Sequence, residues 1–157
     1  MKWLWVSVVV LLVDQCTKLL ADAMLTLHQQ VAVIPFIALY KAYNPGAAFS
    51  FLSDASGWQR WFFVVLAVIV IGVLLVWLRR LSARETGTSL ALALILGGAA
   101  GNLIDRLVYG YVIDFIDVYY GSWHWPAFNV ADAAISAGAF LLLLDALLGG
   151  REKPRVG

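Results

Sequence analysis

The stretch WQRWFFVVLAVIVIGVLLVWL, residues 58–78, decides the fold. Beyond its opening Trp-Gln-Arg-Trp it carries no charge before Arg79. An α-helix needs about 20 predominantly apolar residues to cross the hydrocarbon core of a bilayer. Working outward, three further stretches meet that length, at about residues 3–23, 89–107 and 128–148. Of the 157 residues, 62% are hydrophobic and 13% charged, where a soluble domain is nearer half and a quarter. The expectation is an integral membrane protein, mainly α: one membrane domain over residues 1–157, built as a four-transmembrane-helix bundle.

Basic residues suggest the orientation. Lys2 precedes the first span, and Arg79, Arg80 and Arg84 join the second to the third. Arg151, Lys153 and Arg155 follow the fourth. The positive-inside rule puts these loops, and with them both termini, in the cytoplasm. The longer loops, about residues 24–57 and 108–127, then face outward. Trp58, Trp61, Trp123 and Trp125 fall at the outer boundary and Trp3, Trp5 and Trp77 at the inner one, as aromatic belts do. The first outer loop contains VAVIPFIALYKAYNPGAAFSFL, rich in β-branched and aromatic residues, with a turn signal at Asn44-Pro45-Gly46. A small extracytoplasmic β element over about residues 32–53 is expected there. Gly97 and Gly101 have the GxxxG spacing that lets two helices approach closely.

Several function classes drop out. A net charge of +1 offers no basic face for nucleic acid. The start, MKWLWVSVVVLLVDQC, imitates a secretory signal, but Asp14 and Gln15 are not the small residues of a cleavage site. A retained first span is the better reading. His28 and His124 stand apart in loops, outside any HExxH pattern, which disfavours a zinc protease. No serine occupies a GxSxG elbow. Cys16 reads as a small buried hydrophobe, not a nucleophile.

Acids inside spans are the informative outliers, because each costs roughly 2.5–3.5 kcal/mol at the centre of a membrane helix. Asp14 pairs in prospect with Lys18, four residues on, in the favourable order. Asp145 lies near the inner end of its span, within reach of water or Arg151. Asp105 and Arg106 could form an interfacial pair, one turn after Asn102. Asp132 is harder to dismiss: it shares a helix face with Asn129 at a depth matching Asn102 and Asp105. A loop carrying Asp114 and Asp117 would roof these polar helix ends into an acid-rich pocket. Two carboxylates held together split their pKa values, so one is an acid while the other is a base. Such a pair can activate water and protonate a leaving amine. The same acids could instead pass protons or cations, as in a small conductor, and local sequence does not choose among Asp105, Asp114 and Asp117 as the partner of Asp132.

Five blocks occur in order: VDQCTK (13–18), NPGAAFSFL (44–52), GGAAGNLIDR (97–106), VIDFIDVY (112–119) and FNVADAAI (128–135). Together they resemble the bacterial lipoprotein signal peptidases, or type II signal peptidases, over nearly the whole chain. The resemblance implies an intramembrane aspartyl protease that removes signal peptides from diacylglyceryl-modified prolipoproteins just before the lipidated cysteine. It implies a catalytic pair at Asp114 and Asp132, with Asn44, Asn102, Arg106 and Asn129 around the substrate and Asp14 and Asp105 in support. It further implies an outer β cradle, no metal or cofactor, and a monomer in the bacterial inner membrane. Its partners would be prolipoproteins and membrane lipid, with the site near the extracytoplasmic face. Pro45 and Cys16 occupy positions that vary in the family.

Overall fold

The computed structural model describes residues 2–46 and 57–149. Four helices, α1 (Leu4–Met24), α2 (Trp58–Arg80), α3 (Thr86–Val108) and α4 (Val130–Gly149), each have the length and hydropathy to cross a membrane. The expected spans are met within a few residues at each end. Between the helices lie β1 (Gln30–Ile34), β2 (Ile37–Asn44), β3 (Val112–Tyr120) and β4 (Trp123–His124). They form one antiparallel sheet in that order. The protein is thus a four-helix membrane bundle with a small sheet at one end.

Helix α3 is the axis of the bundle, with α1, α2 and α4 all packed against it. Small residues permit this. A Cβ on Gly97 would come within 2.7 Å of the Ser7 carbonyl oxygen of α1, and one on Gly138 of α4 within 2.6 Å of the Ala91 oxygen. The GxxxG expectation is met, since Gly101 also lies directly against Asp14. Toward the end away from the sheet, Leu74 and Leu78 of α2 interlock with Leu92 and Leu96 of α3 in a buried cluster.

The sheet is larger than the sequence suggests. The expected β element over 32–53 appears as β1 and β2, its portion from 47 to 53 lying outside the described residues. The turn between those strands falls at Pro35-Phe36, where Phe36 has a left-handed φ of 72°. Asn44-Pro45-Gly46 instead ends β2, with the Gly46 N–H donating to Asn44 Oδ1 at 2.9 Å. Strand β3, the longest, comes from the second loop and was not anticipated. Leu39 pairs with Ile116 but Ala42 with Asp114, so Tyr40 and Lys41 together oppose Phe115. Such a bulge bends the strand and re-aims side chains. Here Lys41 reaches Asp22 of α1 and the Tyr40 hydroxyl meets His28 Nδ1 at 3.1 Å.

Cys16 departs from expectation: it lies on an exposed face of α1. On a spanning helix a face turned away from the bundle meets lipid, so an apolar thiol is no worse placed there than in a core. Asp145 is exposed and hydrogen-bonded to the Thr88 hydroxyl of α3, while Arg151 lies outside the described residues.

Candidate active site

The site grows from the start of α4. The first N–H groups of any helix lack intrahelical acceptors and favour negative charge nearby. Asn129 Oδ1 accepts from the Asp132 N–H at 2.9 Å, and Asp132 Oδ2 accepts in return from the Asn129 N–H at 3.3 Å. This reciprocal cap is the arrangement of a capping box. Asp14 Oδ1, from α1, takes the Ala131 N–H at 2.8 Å. The local reason for the Asn129–Asp132 spacing is therefore a helix start, and the Asn129 N–H holds the carboxylate of Asp132 over it.

Asn129 is fully buried and its side chain joins two acids. Its Nδ2 donates to Asp114 Oδ1 at 2.7 Å and to the Ile113 carbonyl at 3.3 Å. Asn44 Nδ2 donates to Asp114 Oδ2 at 3.0 Å. Asn102 Nδ2 donates to Asp132 Oδ1 at 2.8 Å. Asp114 and Asp132 thus flank one asparagine, each with an amide on its carboxylate. Asp114 is buried and its pKa is pushed up to about 7, first by burial and then by the negative charge of Asp132. The amides of Asn44 and Asn129 oppose that rise because they favour the ionised form. Asp132 is half-buried and opens into a groove of about 320 Å³ lined by Trp125, Phe128, Ala133 and Ser136.

Beneath the pair lies the charge that compensates it. Lys18 Nζ is buried and contacts Asp14 at 2.8 Å, Asp105 at 2.9 Å and Asn102 Oδ1 at 2.8 Å. Gln15 Nε2 adds a 2.9 Å bond to Asp105, whose other oxygen accepts the Ile113 N–H at 3.2 Å. The Asp14–Lys18 pair is as the spacing suggests. Asp105, however, pairs with Lys18 and not with the adjacent Arg106. Successive helical residues point about 100° apart, so Asp105 faces Lys18 of α1 while Arg106 faces Phe63 of α2. Arg106 donates to the Asn102 carbonyl at 3.2 Å and places its guanidinium 5.0 Å from the Phe63 ring, within the electrostatic reach of Asp114 and Asp132.

The eight residues that the resemblance assigns to the site, Asp14, Asn44, Asn102, Asp105, Arg106, Asp114, Asn129 and Asp132, all belong to this one network or touch it. Two expectations fail nearby. Asp117 does not roof the pocket: alternation along β3 sends it to the opposite side from Asp114, where it accepts from Gln30 at 2.9 Å. His124 is not a lone loop histidine, since its Nδ1 lies 2.9 Å from Asp117. Lys18 and Gln15 were underrated in the sequence. A lysine in mid-span between two potential acids was the available signal for the first. Among the described residues, no three His, Cys, Asp or Glu side chains gather as metal ligands would.

Comparison with known proteins gives one family. The family model described as "Signal peptidase (SPase) II" matches residues 6–148. A lipoprotein signal peptidase of Pseudomonas putida is 56% identical over 147 residues, covering 92% of this chain and 86% of the relative. That of Photorhabdus laumondii is 51% identical over 153 residues, covering 98% and 92%. Two solved structures of bacterial membrane enzymes, determined by the in meso method, superpose with TM-scores of 0.86 and 0.82 at 28% and 30% identity. They cover 99% and 94% of this chain, and 94% and 92% of their own. With the match running through all four helices and the sheet, the chain belongs to the signal peptidase II family.

Proposed function

We propose that this membrane protein is an aspartyl endopeptidase that removes signal peptides from diacylglyceryl-modified prolipoproteins, cutting just before the lipidated cysteine. Its family supports the substrate class, the curated relatives being lipoprotein signal peptidases. The observation that carries the aspartyl chemistry is the pair Asp114 and Asp132 joined through Asn129, with Asp114 pushed up to about 7. Asp114 is the member of the pair that carries a proton, up to about pH 7, and Asp132, with an amide and an N–H on its oxygens, is the base.

The substrate peptide bond lies in the groove beside Asp132. Water attacks the carbonyl carbon as Asp132 takes its proton, and Asp114 gives a proton to the carbonyl oxygen. In the collapse, Asp132 returns its proton to the leaving amine of the cysteine, and Asp114 recovers its own from the hydroxyl. Asn44 and Asn129 hold the Asp114 carboxyl in register, Asn102 holds Asp132, and Arg106 offsets the negative charge. Asp14, Asp105 and Lys18 lock α1, α3 and α4 around them. No metal or cofactor enters the reaction. The sheet end faces the extracytoplasmic side of the bacterial inner membrane, a placement supported by Lys2, Arg79, Arg80 and Arg84 at the other end. The enzyme acts as a monomer.

The test is incubation of the detergent-purified protein with a lipidated and an unlipidated prolipoprotein. Only the lipidated form should be cut, on the amino side of the modified cysteine. Asp114→Asn and Asp132→Asn should each lose at least about 10³-fold in rate, in line with removal of an acid or base group, while keeping the wild-type unfolding profile or better. Substantial cleavage by either purified variant would refute the assignment.

A further inference from the structure

A second hollow lies across Trp125 from the groove of Asp132. It measures about 480 Å³ and is walled by Gln30, Tyr40, Asp117, His124 and residues 125–127. Trp125 lines both spaces. At the floor, Asp117 is only 4% exposed. It accepts from Gln30 Nε2 at 2.9 Å, and His124 Nδ1 lies 2.9 Å from the same carboxylate. His124 itself is exposed, with its ring stacked on Tyr119 at 5.6 Å. None of Gln30, Tyr40, Asp117 and His124 belongs to the network of Asp114 and Asp132, and the β2 bulge separates the two halves of β3.

The chemistry of the hollow is that of a peptide site. A carboxylate is acceptor-only and offers about four lone-pair directions, so Asp117 retains capacity beyond Gln30 and His124. Aromatic and proline walls suit an extended chain. An acyl chain would gain nothing from a buried carboxylate. The reaction proposed above supplies the candidate. Both products stay with the bilayer, the signal peptide through its apolar segment and the other through the diacylglyceryl group on its new N-terminal cysteine, but the chain that follows that cysteine must run from Asp132 into water. This hollow, walled by residues outside the spans, shares Trp125 with the groove.

We propose that the Asp117–His124 hollow is a specificity subsite for the residues that follow the lipidated cysteine, accepting hydrogen bonds from their N–H groups and donor-bearing side chains at Asp117. His124 holds the Asp117 carboxylate in place and forms the rim. The inference rests on the peptidase reading given above.

Two synthetic substrates test it. Both carry the same signal peptide and a diacylglyceryl cysteine. One ends there as an amide, and the other continues for about six residues of Ser, Asn and Gly, roughly 20 Å when extended. Wild type should show a KM about fivefold lower for the longer substrate, the effect of one well-made hydrogen bond. Asp117→Asn and His124→Ala should shrink that ratio toward one, and His124→Gln, which can still donate to Asp117, should restore it. Equal losses on both substrates would mark a structural role and overturn the inference, as would an advantage that survives in the variants. Equal KM values in wild type would also overturn it while leaving the peptidase reading intact. Cleavage of neither substrate would remove that reading and this inference together.

Discussion

Asp114 and Lys18 show opposite ways of burying an ionisable group. Asp114 keeps its proton. Its pKa rises in the folded state from the ordinary 3.8 to about 7, so the native protein binds that proton more tightly than the unfolded chain does. Stability from this group is fully present below the ordinary value and is lost as pH climbs toward 7, at roughly 1.4 kcal/mol per pH unit across the window. Two outcomes are expected. Peptidase activity should fall on the alkaline side with an apparent pKa near 7, as Asp114 ionises. Asp114→Asn, though inactive, should gain in melting temperature relative to wild type at pH 8 more than at pH 5, because only the wild type loses stability in between. A melting-temperature difference that does not change with pH would contradict the assignment. Lys18, by contrast, is placed between two acids. Lys18→Met would leave both carboxylates buried without a counter-charge, a loss of about 3–5 kcal/mol readable as lower expression and earlier unfolding in detergent. At this scale the sequence was informative about which residues matter and poor about who meets whom. Asp105 stands beside Arg106 in the chain yet bonds Lys18, because helix rotation outweighs adjacency.

At the scale of elements, the spans were legible because hydropathy acts over a window of twenty positions and tolerates single polar residues. Strand β3 was not. Its two acids lie three apart and so face opposite sides, which hides the alternation that marks a half-buried strand. The partnership of Asp114 with Asp132 was equally invisible to local pattern, since it depends on β3 returning against the start of α4, where the Phe115 and Ile116 N–H groups donate to the Phe128 carbonyl. A family resemblance, not periodicity, picked it out. Strand β2 is held by a clamp that the sequence did not suggest. Asp22 at the end of α1 accepts from Lys41 Nζ at 3.2 Å and from the Tyr43 hydroxyl at 2.8 Å, and Tyr43 stacks on Tyr111 at 4.3 Å. Asn44 is the next residue. Asp22→Ala should loosen the bond from Asn44 to Asp114, and since that bond favours ionised Asp114, the alkaline limb of the activity profile should move upward. An unchanged limb would show that β2 needs no clamp. Gly138 tests the packing of α4 on α3: Gly138→Val would drive a side chain into the Ala91 carbonyl, costing about 1–3 kcal/mol or more, visible as a lower melting temperature.

The whole molecule has its proposed active site at one end and its arginine-rich loop at the other, with the four spans between. Which end faces the cytosol was read from Lys2, Arg79, Arg80 and Arg84. Since Cys16 is the only cysteine in the chain, orientation can be measured directly. In a Cys16→Ser background, Ser122→Cys should react with an impermeant maleimide added to intact spheroplasts, and Ala83→Cys only after lysis. The reverse pattern would invert the proposed topology.

The ion cluster around Lys18 also constrains how the protein is made. Asp14 and Lys18 emerge from the ribosome together on α1, but Asp105 and Asn102 arrive only after all of α2. Until then the first helix carries a salt pair into the lipid with half its partners missing. The first helix is therefore expected to settle fully only when the hairpin of α2 and α3 brings Asn102 and Asp105 to Lys18.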